Sequence, residues 1–339
     1  AVPFLMICPD ARSGAIVEAG VKIADTANGV YWNPAILPFI DKKMGFSVNY
    51  TPWLRGLGIP DINHAFLPGY YNFGEKGGVL SGALTFFSLG NIQLTTADGS
   101  SIGQVNPSEM ALTAAYSRKV TKKIGAGVAL RYIYSGIQAD NSGGIAVQSS
   151  NSFAGDINVF YKTKFSLSND TPVELRLGAN ATNFGAKMNY SSGTSSQRDF
   201  LPANLKVGYS LKFDLDDANS LTFMNDFNKL LVPTYSGDYT HPKSVIDGVF
   251  SSFNDAHGGI SEEISEINMS YGLEYWYDNI IAGRMGFFYE DPNKGARKFL
   301  TFGAGIRFNV FWLDIAYLAP LKQNHPLQNT FRFTLNFNF

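Results

Sequence analysis

The chain has 339 residues and a formal net charge of -1; only 16% of it is charged, while 14% is aromatic. Soluble domains carry about 25% charged residues, so this surface suits something less polar than water, yet no run approaches the roughly 18 consecutive apolar residues of a membrane helix. The near-neutral balance argues against a nucleic-acid partner. A single cysteine, Cys8, excludes a disulfide framework and a cysteine-based metal site.

Residues 1–43 do not alternate. An apolar run from Ala1 to Ile7, containing Phe4 and Leu5, leads into Pro9, Asp10, Arg12 and Gly14. A small-residue stretch carrying Glu18 and Asp25 then reaches Tyr31, Trp32, Asn33, Pro34 and Ala35. Short helical turns and loops are expected here, and the mixture of apolar and charged residues suits a plug folded inside a lumen. No charged stretch precedes the apolar run, so any export signal is expected to have been removed.

From Met44 onward about 14 candidate strands follow. In the eighth of these, Leu205, Val207, Tyr209, Leu211 and Phe213 alternate with Lys206, Gly208, Ser210 and Lys212. In the last, Phe331, Phe333, Leu335, Phe337 and Phe339 alternate with Thr330, Arg332, Thr334, Asn336 and Asn338. That period belongs to a strand with one apolar and one polar face, and its length matches the roughly 9–11 residues that cross a hydrocarbon core when tilted. The second strand is interrupted by Pro68 and Gly69. Proline cannot donate to a ladder, so a kink or local opening of the wall is expected there.

The connections sort by parity: short turns follow even strands, and long loops, among them 184–203 and 232–264, follow odd ones. A membrane barrel has this asymmetry. Tyr132, Tyr134, Tyr275, Tyr277, Tyr289, Trp312 and Tyr317 fall near strand ends, where aromatic girdles sit. The expected fold is all-β: a 14-stranded antiparallel transmembrane β-barrel over residues 44–339, with residues 1–43 as its amino-terminal plug (hatch).

His64, His241, His257 and His325 are scattered, with no metal-binding spacing. No phosphate loop or nucleophile elbow is present. The expectation is therefore a non-enzyme without metal or cofactor. Charges on the polar register of the strands, among them Asp156, Lys206, Asp226, Glu274, Arg307 and Arg332, are expected in the lumen, with Arg131 and Arg284 beside them. There they can pair with one another or with Asp10, Arg12, Glu18 and Asp25 of the plug. In the longest loop, Val245, Ile246, Val249, Phe250 and Phe253 are expected on one helical face, either docking a protein or lipid, or capping the barrel.

The segment Tyr31–Ala35, Y-W-N-P-A, resembles the hatch element of the FadL family of 14-stranded outer-membrane barrels. The stretch A-V-P-F-L-M-I-C-P-D-A-R-S-G-A followed by E-A-G, then W-N-P-A, is similar to the PorV (LptO) family, the FadL-like barrels of the type IX secretion system; S-V-N-Y-T-P-W-L at 47–54 and N-P-S-E-M-A-L at 106–112 support it. The resemblance implies an integral protein of a Gram-negative outer membrane, in contact with its lipids, with periplasmic termini and extracellular long loops. It further implies a shuttle that binds the carboxy-terminal signal domain of secreted cargo, collects it from a large SprA/Sov-like translocon barrel, and delivers it to an attachment complex containing a PorU-like sortase. The alternative is a FadL-like transporter of long-chain fatty acids or other hydrophobic compounds, with Phe4, Leu5 and the plug forming the ligand pocket and Pro68–Gly69 marking a lateral exit.

Overall fold

The structure is a computed structural model that describes residues 1–23, 25–96, 98–136, 148–166, 171–190, 198–234, 243–322 and 325–339. His241 and parts of the two longest loops lie outside the described residues. The strands are β1 Met44–Pro52, β2 Ile62–Asn72, β3 Val79–Leu89, β4 Ile92–Thr95, β5 Ser101–Val105, β6 Ser108–Lys119, β7 Ile124–Gly136 and β8 Ser150–Ser166. They continue as β9 Pro172–Gly185, β10 Asn204–Asp214, β11 Asn219–Leu230, β12 Asn268–Tyr277, β13 Ile281–Tyr289, β14 Lys298–Phe308, β15 Phe311–Pro320 and β16 Thr330–Asn338.

Fourteen of these strands close into an antiparallel barrel in which β1 pairs with β16. The remaining two, β4 and β5, form a separate hairpin in the β3–β6 connection, where the sequence suggested only a loop. Closure leaves no unpaired edge, as a hydrocarbon environment demands.

The wall is polar inside and apolar outside. Along β16, Thr330, Arg332, Thr334, Asn336 and Asn338 are buried, while Phe331, Phe333 and Leu335 are exposed. Leu130 and Phe153 point outward while their neighbours Arg131 and Ala154 are buried. A water-soluble sandwich has the opposite arrangement; this one suits lipid around it.

Short turns at 120–123, 278–280 and 309–310 occupy one rim. Asp278 and Asn279 both have left-handed φ (50° and 52°), and Ile280 N–H donates to Tyr277 C=O at 2.9 Å. This is the turn geometry whose twist matches the strands. The β1–β2 ladder is interrupted at the second-strand proline: pairing runs through Phe46–Gly69 and resumes at Asn49–Phe66. The β2–β3 ladder is continuous through Pro68–Ala83, so the missing N–H lies on the β1 side.

Inside the barrel lies the amino-terminal segment: a 3-10 turn Pro3–Met6, α1 Ala11–Ala15, α2 Gly29–Trp32 and a 3-10 turn Pro34–Phe39. None of these is long enough to persist alone; they are held by the wall. Inward glycines admit the plug backbone. A Cβ on Gly303 would collide with Ala15, and one on Gly125 with Phe39 and Ala35 C=O.

Candidate functional site

The plug is fixed first through charge. Arg12 donates from Nε and Nη2 to the two carboxylate oxygens of Glu274, each at 2.8 Å, and also pairs with Asp25. Glu274 is shared with Arg284, at 2.7 Å, and Arg284 reaches Asp314 at 2.8 Å. This alternating chain runs from plug to wall with both carboxylate oxygens used, the condition under which a buried ion pair is tolerated. Lys22 is wholly buried and pairs with Asp226.

Asp10 caps α1, accepting from Ser13 N–H at 2.8 Å, and its other oxygen accepts from Trp32 Nε1 at 2.6 Å. One carboxylate thus orders the helix start and orients the tryptophan. Asn33 bridges plug and wall, donating to Val159 C=O at 2.9 Å while its Oδ1 accepts from Ala35 N–H at 3.1 Å. Pro34 starts the turn that follows, where its missing N–H costs nothing. Phe4 and Leu5 are buried in a cluster with Ile62, Phe87, Ile133 and Met188.

On the long-connection side of the plug is a cavity of about 690 Å³, lined by Leu5, Glu18, Tyr31, Trp32, Trp53 and Lys206 among others, and reaching Val232, Glu266 and His325 of the connections. Glu18 has a left-handed backbone, φ 68°. Its carbonyl, rather than its carboxylate, accepts from Lys206 Nζ at 3.4 Å. The structure therefore brings Leu5, Glu18 and Trp32 to the cavity, and sets Phe4, Asp10, Arg12, Asn33 and Pro34 to packing and latching the plug.

The loop helix α3, Val245–Ser251, divides the residues expected on its apolar face. Its apolar residues occupy one broad arc that divides by burial: Val249 is buried against Ala203 and Leu231, and Val245 is partly covered. Ile246, Phe250 and Phe253, spaced i, i+4, i+7, are 68%, 73% and 47% exposed. The arc is two adjacent stripes, one anchoring and one outward.

A second helix, α4 Ile260–Ser265, went unnoticed in the sequence, although Ile260 and Ile264 stand at i, i+4. They are 77% and 57% exposed. The opposite face is clamped by Lys294 to Glu262 and Glu266, at 2.5 and 2.9 Å, and by Lys229 to Glu263 at 2.9 Å. Hydrogen bonds from Lys294 and then from Gly258 N–H hold the Glu262 carboxyl below its ordinary value of 4.5.

A family model described as "Type IX secretion system protein PorV" matches residues 1–237. The chain belongs to the PorV family. Membership makes it an outer-membrane β-barrel component of type IX secretion. Among solved structures, a deltaS2S3 mutant of the TodX monoaromatic hydrocarbon channel is similar at 13% identity with a TM-score of 0.54, covering 97% of this chain and 99% of that one. The toluene transporter TbuX of Ralstonia pickettii aligns at 13% identity and TM-score 0.51, over 97% of each chain. The CymD monoaromatic hydrocarbon channel aligns at 13% and 0.51, over 98% of this chain and 97% of that one. These likenesses establish the FadL-like architecture of this PorV-family barrel. No curated protein matches it by sequence.

Proposed function

We propose that this barrel is a shuttle of the type IX system: it takes the carboxy-terminal signal domain of secreted cargo from a SprA/Sov-like translocon barrel and hands it to an attachment complex containing a PorU-like sortase. Residues 1–43 serve as the hatch and residues 44–339 as the barrel, with both termini on the periplasmic rim and loops 184–203 and 232–264 outside. No step of this role requires catalysis.

The observation that carries the reading is the pairing of a latched plug with apolar side chains presented outward. A bore filled by its own chain is poorly suited to conduction, while Ile246, Phe250, Phe253, Ile260 and Ile264 offer partners a surface whose underside is already anchored. Replacing Ile246, Phe250 and Phe253 together by serine leaves the Val249 anchor intact. The expected result is loss of co-purifying translocon barrel or cargo; unchanged recovery of both would remove α3 from the account.

The second reading, a FadL-like carrier of hydrophobic compounds, is favoured by the broken β1–β2 ladder at Pro68 and by Leu5 in the cavity lining. It calls for acyl chains retained in a mild detergent extract and for uptake that fails when the first ten residues are deleted.

A further inference from the structure

The cavity wall carries a row of side chains that the role of the plug does not use. Asn180 of β9 pairs directly with Lys206 of β10, Lys206 with Asn228 of β11, and Asn228 with Asn268 of β12. The four stand side by side across four strands, and all line the cavity. At about 4.8 Å per strand spacing the row is about 14 Å long, the reach of about four residues of extended peptide.

The polar groups in and beside this row are incompletely satisfied. Asn180 Oδ1, Asn204 Oδ1 and Asn228 Oδ1 are buried acceptors without a donor, and Asn204 lies two residues before Lys206 on the same face of β10. The orientation of the Asn180 amide is fixed, because its Nδ2 donates to Trp32 C=O. Lys206 is 9% exposed and has no carboxylate of a described residue at ion-pair distance; its Nζ meets Glu18 C=O and lies over the Trp32 ring, 4.6 Å from its centroid. Arg332, 2% exposed and also in the lining, donates from Nε to Cys8 C=O at 3.3 Å and likewise has no described carboxylate partner.

The other cations of the lining are matched: Arg131 by Asp156, Arg297 by Glu290, and Lys294 by Glu262 and Glu266. Buried cations without an anion and buried acceptors without a donor are costly. A ligand that relieves both deficits must bring an anion and N–H donors together.

We infer that this row receives the carboxy-terminal end of an extended peptide, with its terminal carboxylate at Lys206 and its backbone N–H groups on the asparagine oxygens. A fatty acid supplies the carboxylate but no N–H donor, and so leaves the three acceptors unmet. The inference rests on the cargo-binding reading proposed above and adds to it a place and a chemistry: the end of the chain enters the barrel mouth while the rest of the signal domain stays at the loops.

The test uses the whole barrel in mild detergent and the signal domain of a secreted substrate prepared in two forms, the free acid and the carboxy-terminal amide. The free acid is expected to bind at least about tenfold more tightly, the scale of one charge-assisted hydrogen bond. Lys206→Met should weaken the free acid by a similar factor and leave the amide unchanged. Asn228→Leu, which keeps the cation, should weaken both forms. Equal affinity of acid and amide would overturn the inference while leaving the cargo reading intact; failure of both forms to bind the unmodified barrel would remove the cargo reading itself. Palmitate whose binding depends on Lys206, in a barrel whose peptide binding does not, would assign the site to an acyl carboxylate and overturn the inference as well.

Discussion

The plug meets the barrel by two different chemistries on its two sides. Toward β12–β16 ion pairs and hydrogen bonds join the apolar packing of Val17 on Phe288, Phe299 and Leu318: Arg12 on Glu274, with Ala11 N–H on Thr334 Oγ1 at 2.8 Å and Thr301 Oγ1 on Ala15 C=O at 2.7 Å. Toward β2–β8 it is mainly apolar, with the Asn33 bond to Val159 C=O as a polar exception. Val30 packs with Phe66, Ala83, Ala115 and Ala129, Ile36 with Phe160, and Leu37 with Tyr70 and Val79. Burial on the apolar side tolerates small shifts, because it is roughly proportional to area. The charged side has one arrangement that satisfies it, so it sets the position of the plug.

Breaking the charged side should have the largest effect. Glu274→Leu leaves Arg12 and Arg284 without the carboxylate they share, and is expected to cost about 3–5 kcal/mol. The checks are a lowered thermal midpoint and, in a planar bilayer, conductance that the unmodified barrel lacks. Leu37→Ala attacks the apolar side at a fully buried residue and should cost about 2–4 kcal/mol by transfer and cavity terms. If the two sides differ as described, this variant lowers the thermal midpoint without opening a conductance. Asp10→Ala removes the α1 cap and the acceptor for Trp32; a loss of about 1–2 kcal/mol is expected, with a changed tryptophan emission.

The smallest effect is one of pH. The hydrogen-bonded Glu262 carboxyl sits below its ordinary 4.5 in the folded loop. Its contribution is therefore present above that value and is lost as pH falls through the lowered folded value. Protease cleavage at α4 should rise in that acid window and stay flat from there to neutrality, with the barrel unaffected.

Much of this was legible in the sequence, for reasons that can be located. A period of two, as in Phe331 to Phe339, marks a strand whatever surrounds it, and the sorting of connections by length follows from a closed up-and-down path. The partners of the plug were not legible: Arg12 could have met any lumen carboxylate, and nothing local selects Glu274, 262 residues away. The asparagine row was hidden for the same reason, since Asn180, Asn228 and Asn268 align only when the register of four strands is known. On α3 the period was visible but the division of the apolar residues was not, because residues 245 and 246 are only about 100° apart on a helix. Only packing against Ala203 and Leu231 separates anchor from outward face.

The most direct test of the central claim, that a plugged barrel works through what it presents outward, is a photo-crosslinking amino acid placed at position 250 in living cells. The account predicts covalent adducts with secreted cargo or with the large translocon barrel, and none of these from the same group at buried position 249. Adducts confined to lipid or to the barrel itself, with secretion intact, would contradict it.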